Sequence, residues 1–183
     1  EQVISFRRLA VETEELMDPP DPARRAELLL ALGEARNTAG HAIDGRGDFV
    51  AAADAARQAD RPDLLGRAAY EYGGENAVWL DFSDPVGPHL LAEALATVPA
   101  DQVRIRARCL TQSSNWRVLD TDPALHVSEA QEGVRLAEES GDVTARYRAL
   151  DIFRQASLAI SDHDAILDTA RRLEALGEES GDL

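Results

Sequence analysis

The sequence predicts an all-α chain in which antiparallel pairs of helices repeat and stack as a solenoid. Three observations predict it. First, Glu138-Glu139-Ser140-Gly141-Asp142 recurs as Glu178-Glu179-Ser180-Gly181-Asp182, which sets a period of about 40 residues. The same register joins Pro22 to Pro62, Gly33 to Gly73, and Arg106, Arg108 and Leu110 to Arg146, Arg148 and Leu150. Second, aromatic residues make up only 5% of a chain that is 44% apolar, and alanine and leucine supply much of the rest, a mixture suited to closely packed helices. Third, Asp-Pro pairs and glycines punctuate the apolar runs at helical intervals.

Residues 2–16 make an orphan helix of the second, or B, kind. Repeat units then start near 22, 62, 102 and 142, each with a first, or A, helix over 22–39, 62–77, 102–118 and 142–158. The B helices follow over 47–59, 86–97, 124–139 and 162–177. Asp21-Pro22, Asp84-Pro85 and Asp122-Pro123 each place a capping carboxylate before a proline at the first helical position, where the missing N–H costs nothing. Ser161 with Asp164 imitates a capping box, and Gly40, Gly141 and Gly181 suit the left-handed residue that closes a helix. Arg46-Gly47-Asp48, a tripeptide known from adhesion ligands, falls between the first A and B helices. We read it as part of a turn, with Asp48 as the N-cap of a helix starting near Phe49. Stacked units would bury Leu29, Leu32, Ala35, Ala52, Ala56, Ala69, Tyr72, Leu91, Leu95, Leu110, Val134, Leu150, Ile152, Phe153, Leu173 and Leu176 in one continuous interior.

Composition excludes several functions. The net charge of −15 opposes direct binding to a nucleic-acid backbone. All 19 basic residues are arginine, so no lysine can complete a Walker-type phosphate loop, and with the alanine excess this usage suggests a high-GC bacterial genome of actinobacterial type. A single cysteine, Cys109, allows neither an internal disulfide nor a zinc cluster and fits a reducing cytoplasm. No apolar run approaches the length needed to cross a bilayer. The chain opens at Glu1 directly in helical pattern, and we read residues 1–183 as a single repeat domain cut from a longer protein. Cut ends of a stack would leave apolar area on helix 2–16 or 162–177 and favour a homodimer.

The stretch ELLLALGEARNTAG, followed by GDFVAAADAARQADRPDLLGRAA, resembles a tetratricopeptide repeat. Leu32-Gly33 stand at that motif's Leu-Gly pair, Gly40 at its turn glycine, Ala52 and Ala59 at its small positions, and Pro62 opens the next unit after a turn with a seven-residue insertion. The long period is similar to that of the C-terminal sensor repeats of large bacterial LuxR-type ATP-binding transcriptional regulators. The resemblance implies a right-handed superhelix and a cytoplasmic, non-catalytic module for signal transduction. It would bind a protein or peptide partner, other modules of the parent chain, or a small-molecule inducer. A general peptide-binding scaffold is the alternative, and a small-molecule hydrolase a weaker one. No cofactor is implied.

No residue pattern argues for catalysis. His41, His89, His126 and His163 are scattered without the i, i+4 spacing that aims two imidazoles at one metal, and no nucleophile elbow surrounds Ser113-Ser114 or Cys109. In tetratricopeptide stacks the A helices line a concave face, and the resemblance carries that face onto Glu27, Glu34, Asn37, Arg67, Tyr70, Ser114, Arg117, Tyr147 and Arg154. Arg67, Arg117 and Arg154 either receive an anionic ligand there or pair internally with Glu34, Glu71 and Asp151. Trp79 and Phe82 lie in the irregular run GGENAVWLDFSDPVGPH and serve either as loop recognition residues or as core plugs; Trp116 carries the same two readings.

Overall fold

The computed structural model describes residues 1–74, 84–117 and 122–180. These residues form α1 (Gln2–Glu14), α2 (Pro22–Thr38), α3 (Ala42–Gln58), α4 (Pro62–Gly73), α5 (Val86–Thr97), α6 (Val103–Trp116), α7 (Pro123–Ser140), α8 (Val143–Ala159) and α9 (His163–Ser180). No strand occurs among the described residues. None of these helices is long and apolar enough to cross a membrane. Trp79 and Phe82 lie outside the described residues.

The helices fall into two compact units, α1 to α5 and α6 to α9. In the first, α2 packs on α1 and α3, α3 on α4, and α4 on α5, with α2 also reaching α4. In the second, α6 packs on α7, α7 on α8 and α8 on α9, and α6 also reaches α8. Of the expected interior residues, Leu29, Leu32, Ala52, Ala56, Ala69, Tyr72 and Leu91 are buried in the first unit. Val134, Leu150 and Leu176 are buried in the second, with Leu110, Phe153 and Leu173 packed half-buried against them. Ala35, Leu95 and Ile152 are half-buried.

Helix ends follow local chemistry at most positions. Asp21 Oδ1 accepts from the N–H of Ala23 and Arg24, and Asp122 Oδ1 from Ala124 and Leu125, each ahead of a proline in the first turn. Gly40 and Gly141 close α2 and α7 with φ of 85° and 68°. Two caps differ from expectation. Asp162, not Ser161, caps α9 by accepting from Ala165 N–H; Ser161 instead holds a left-handed φ of 58° after α8. Pro85 takes the N-cap position of α5, while Asp84 accepts from Val86 N–H at 2.9 Å.

The turn expected over Asp44–Asp48 is helix. α3 starts at Ala42 and runs through Arg46-Gly47-Asp48, so the connection from α2 is short and holds no seven-residue insertion. Packing explains why glycines sit inside this helix. A Cβ at Gly45 would stand 2.7 Å from Asn37 Oδ1 and 3.1 Å from the Gly33 carbonyl oxygen. A Cβ at Gly33 would stand 2.6 Å from the Phe49 ring. Both glycines therefore serve close approach of α2 and α3 rather than a turn. Asp48 is no N-cap: Arg36 Nη1 donates to its two carboxylate oxygens at 2.8 and 2.7 Å. Burial of the Asp48 carboxyl outweighs that arginine and raises its pKa above the usual value.

Candidate recognition surface

The expected groove residues occupy both units, and each unit has its own local arrangement. In the first unit Glu27 is exposed on α2, while Glu34, Asn37, Arg67 and Tyr70 are half-buried. Arg67 Nη2 on α4 donates to Glu34 Oε1 on α2 at 3.0 Å. Asn37 lies against Gly45 of α3 and near Gly74 at the end of α4. The structure thus brings Glu34 and Arg67 together.

In the second unit Arg117 Nε donates to Glu129 Oε2 of α7 at 2.9 Å, and Ser113 Oγ donates to the same oxygen at 3.1 Å. Glu129, which sequence reasoning missed, is an acid beside this arginine. Arg154 pairs with Asp151 at 2.6 Å, one turn away on the same helix and not across neighbouring helices. Tyr147 is 56% exposed and open to a partner. Ser114 is 0% exposed and donates to the His126 carbonyl oxygen at 3.1 Å, so its hydroxyl fastens α6 to α7 and does not reach a groove surface.

Ser114 belongs to a buried polar run that includes Thr111, Gln112, Asn115 and the edge of Trp116, faced by His126. Gly133 of α7 admits this run, since a Cβ there would stand 3.1 Å from Thr111 Oγ1. The sequence signal was present: five polar residues in a row, TQSSN, on a helix with a core-facing period. Burial also settles Cys109, whose thiol is enclosed and pushed up to about 12.

A second polar cluster ties the first unit. Arg46 Nη1 donates to Asp84 Oδ2 at 3.2 Å and its guanidinium lies 4.9 Å over the Tyr72 ring. Tyr72 Oη donates to Asp84 Oδ2 at 2.5 Å, and burial together with that carboxylate pushes the phenol up to about 12. The arginine and the aspartate of the adhesion-like tripeptide therefore point into the protein, toward Asp84 and Arg36 respectively, and neither is presented as a loop ligand.

Among the described residues no three His, Cys, Asp or Glu side chains gather where they could hold a metal ion. On these surfaces Tyr147 is exposed, and Arg67, Arg117 and Arg154 are half-buried beside carboxylates. No protein-family model matches the chain, and no curated protein matches it significantly.

Proposed function

We propose that the chain is a non-catalytic module of antiparallel two-helix repeats, stacked right-handedly, that recognises a protein or peptide partner or a small inducer within a larger bacterial transcriptional regulator. The observation that supports the stacking is the spacing of cross-helix ion pairs. Arg67 reaches Glu34, an A helix to the preceding A helix, at a separation of 33 residues. Arg57 reaches Glu93, B to B, at 36, and Arg46 reaches Asp84 at 38. In the second unit Arg172 of α9 bonds Glu138 of α7 at 34, again B to B. Such separations, each just short of one sequence period, are what like helices of consecutive repeats produce when laid side by side. Within pairs, partner numbers fall as the others rise: Gly33 meets Phe49, Arg36 meets Asp48 and Asn37 meets Gly45, the signature of opposed helix directions.

Recognition then rests on the A-helix surfaces, and magnitudes decide whether paired arginines can take part. Half-exposed ion pairs such as Arg67–Glu34 and Arg154–Asp151 contribute about 0–1 kcal/mol. A ligand carboxylate or phosphate gripped in bidentate fashion gains about 1.5–3 kcal/mol per charged hydrogen bond and can displace the resident acid. The net charge of −15 disfavours anions elsewhere on the surface and so confines them to such arginines. The regulator context comes from the repeat resemblance.

The test is capture of partner modules by the full-length parent protein, together with calorimetric titration of acidic peptides and sugar phosphates. Tyr147→Ala with Arg154→Ala is expected to weaken binding at least tenfold, while Ile43→Ser, exposed on α3, leaves it unchanged. Arg46→Ala and Asp48→Ala are unsuitable controls because both side chains hold the first unit together. Binding that survives every A-helix substitution would sink the reading.

A further inference from the structure

Helix α1 carries two apolar faces. Ile4, Val11 and the carboxyl-bearing Glu14 are buried, and α1 packs on α2. The remaining apolar residues point away: Val3 is 59% exposed, Phe6 72%, Leu9 58%, Leu16 86% and Met17 55%. Phe6, Leu9, Ala10, Thr13 and Met17 line a groove of about 330 Å³, closed on its far side by Arg24 and Leu28 of α2. Scattered exposed leucines are ordinary, but a stripe this dense on one helix and the turn that follows it is not.

The spacing of the stripe specifies what fits it. Within α1, Val3, Phe6, Ala10 and Thr13 alternate steps of three and four, the pattern of a helix seam that receives another helix; Leu9 widens it on one side, and Leu16 and Met17 extend it on the turn after the helix. We propose that a second copy of the chain covers this face, its α1 lying antiparallel against the first. Antiparallel pairing centred between Ala10 and Thr13 sets Phe6 opposite Met17 of the other copy, Leu9 opposite Leu16, and Ala10 opposite Thr13. Small residues thus meet at the centre and large ones at each end.

Charge agrees with that register. Arg7 forms no ion pair among the described residues, and the register brings it beside Glu14 of the other copy. Glu14 accepts from Asp21 N–H at 3.1 Å, lies 3.8 Å from Arg25 Nη1 of its own chain, and lines the groove, so Arg7 would share that carboxylate with Arg25. Parallel pairing would instead set Arg7 beside Gln2 and Glu14 beside Leu9 of the other copy, with no charge match.

Area favours a second copy over a small ligand. Full burial of a large apolar side chain removes roughly 60–120 Å² from water, so the five partly exposed residues offer roughly 200–400 Å² per copy. Doubling that by symmetry and adding the polar rim reaches about 1,000 Å², near the lower limit for a specific interface. A concentration-dependent dimer is the consequence.

Sedimentation equilibrium on the 183-residue chain tests this. A dimer is expected at protein concentrations on the order of 100 µM, with Phe6→Glu or Leu9→Glu weakening it roughly thirty-fold or more. Both sites are exposed, so the helical circular dichroism of the variants should match the parent. Orientation is read by mixing Ala10→Cys and Thr13→Cys chains under mild oxidation, since the native Cys109 is 0% exposed and silent. Mixed disulfides between the two variants support the antiparallel register, and predominance of like-with-like disulfides overturns it. A chain that stays monomeric, or a dimer indifferent to Phe6→Glu and Leu9→Glu, overturns the proposal altogether.

Discussion

Gly33→Ala is the most informative single substitution in the first unit. At an exposed helix interior this change stabilises by about 1 kcal/mol, because alanine has the better helix propensity and a less disordered unfolded state. Here the new methyl would stand 2.6, 2.8 and 3.0 Å from three carbons of the Phe49 ring, where ordinary contact begins at 3.4 Å. The ring must retreat, yet Phe49 is 0% exposed and walled in. Inserting a methylene-sized group into such a core costs about 1–3 kcal/mol, so the net expectation is a loss of up to about 2 kcal/mol. Because the chain forms two compact units, amide exchange in α2 and α3 reads this better than a whole-chain melt. The partner change Phe49→Leu frees space. Its own cost should shrink by at least about 1 kcal/mol in the Gly33→Ala background, beyond the roughly 0.5 kcal/mol expected of independent sites. A stabilised Gly33→Ala protein, or no coupling to Phe49, would refute close packing of α2 on α3 at this point.

Further outcomes are expected. Tyr72→Phe should cost about 1.5–3 kcal/mol by removing the hydrogen bond to Asp84, and should delete a tyrosinate absorbance step near 12. Because the folded-state pKa of Tyr72 is raised, the unfolded chain ionises first, and this contribution is lost as pH climbs from 10 toward 12. Arg57 holds Glu93 below its ordinary value of 4.5, so the stability from that pair is present above 4.5 and fades as pH falls. Glu93→Gln should flatten the acid limb of a stability-versus-pH curve by a few tenths of a kcal/mol, to about 1 at most. Cys109 should resist iodoacetamide in the native protein and react in urea; native labelling at the rate of a free thiol would contradict its enclosure.

The sequence by itself determined the all-helical class and most helix ends, because these depend on chemistry within a few residues. Asp21 and Asp122, each before a proline, cap the helices that follow, and Gly40 and Gly141 take left-handed backbone because no other residue does so at so little cost. Apolar spacing located helices from α1 to α9 for the same reason. Tertiary structure decided whatever depends on a distant neighbour. Glycine reads locally as a breaker, yet Gly45 sits inside α3 because Asn37 and the Gly33 carbonyl crowd the place its side chain would need. Arg36 converts Asp48 from an expected cap into half of a buried ion pair. Ser114 looks like a surface hydroxyl until α7 covers it, and Arg117 could meet Glu129 only once α6 and α7 packed. Side-chain partners across helices are set by packing register, and register is a property of pairs of helices that neither sequence segment contains alone.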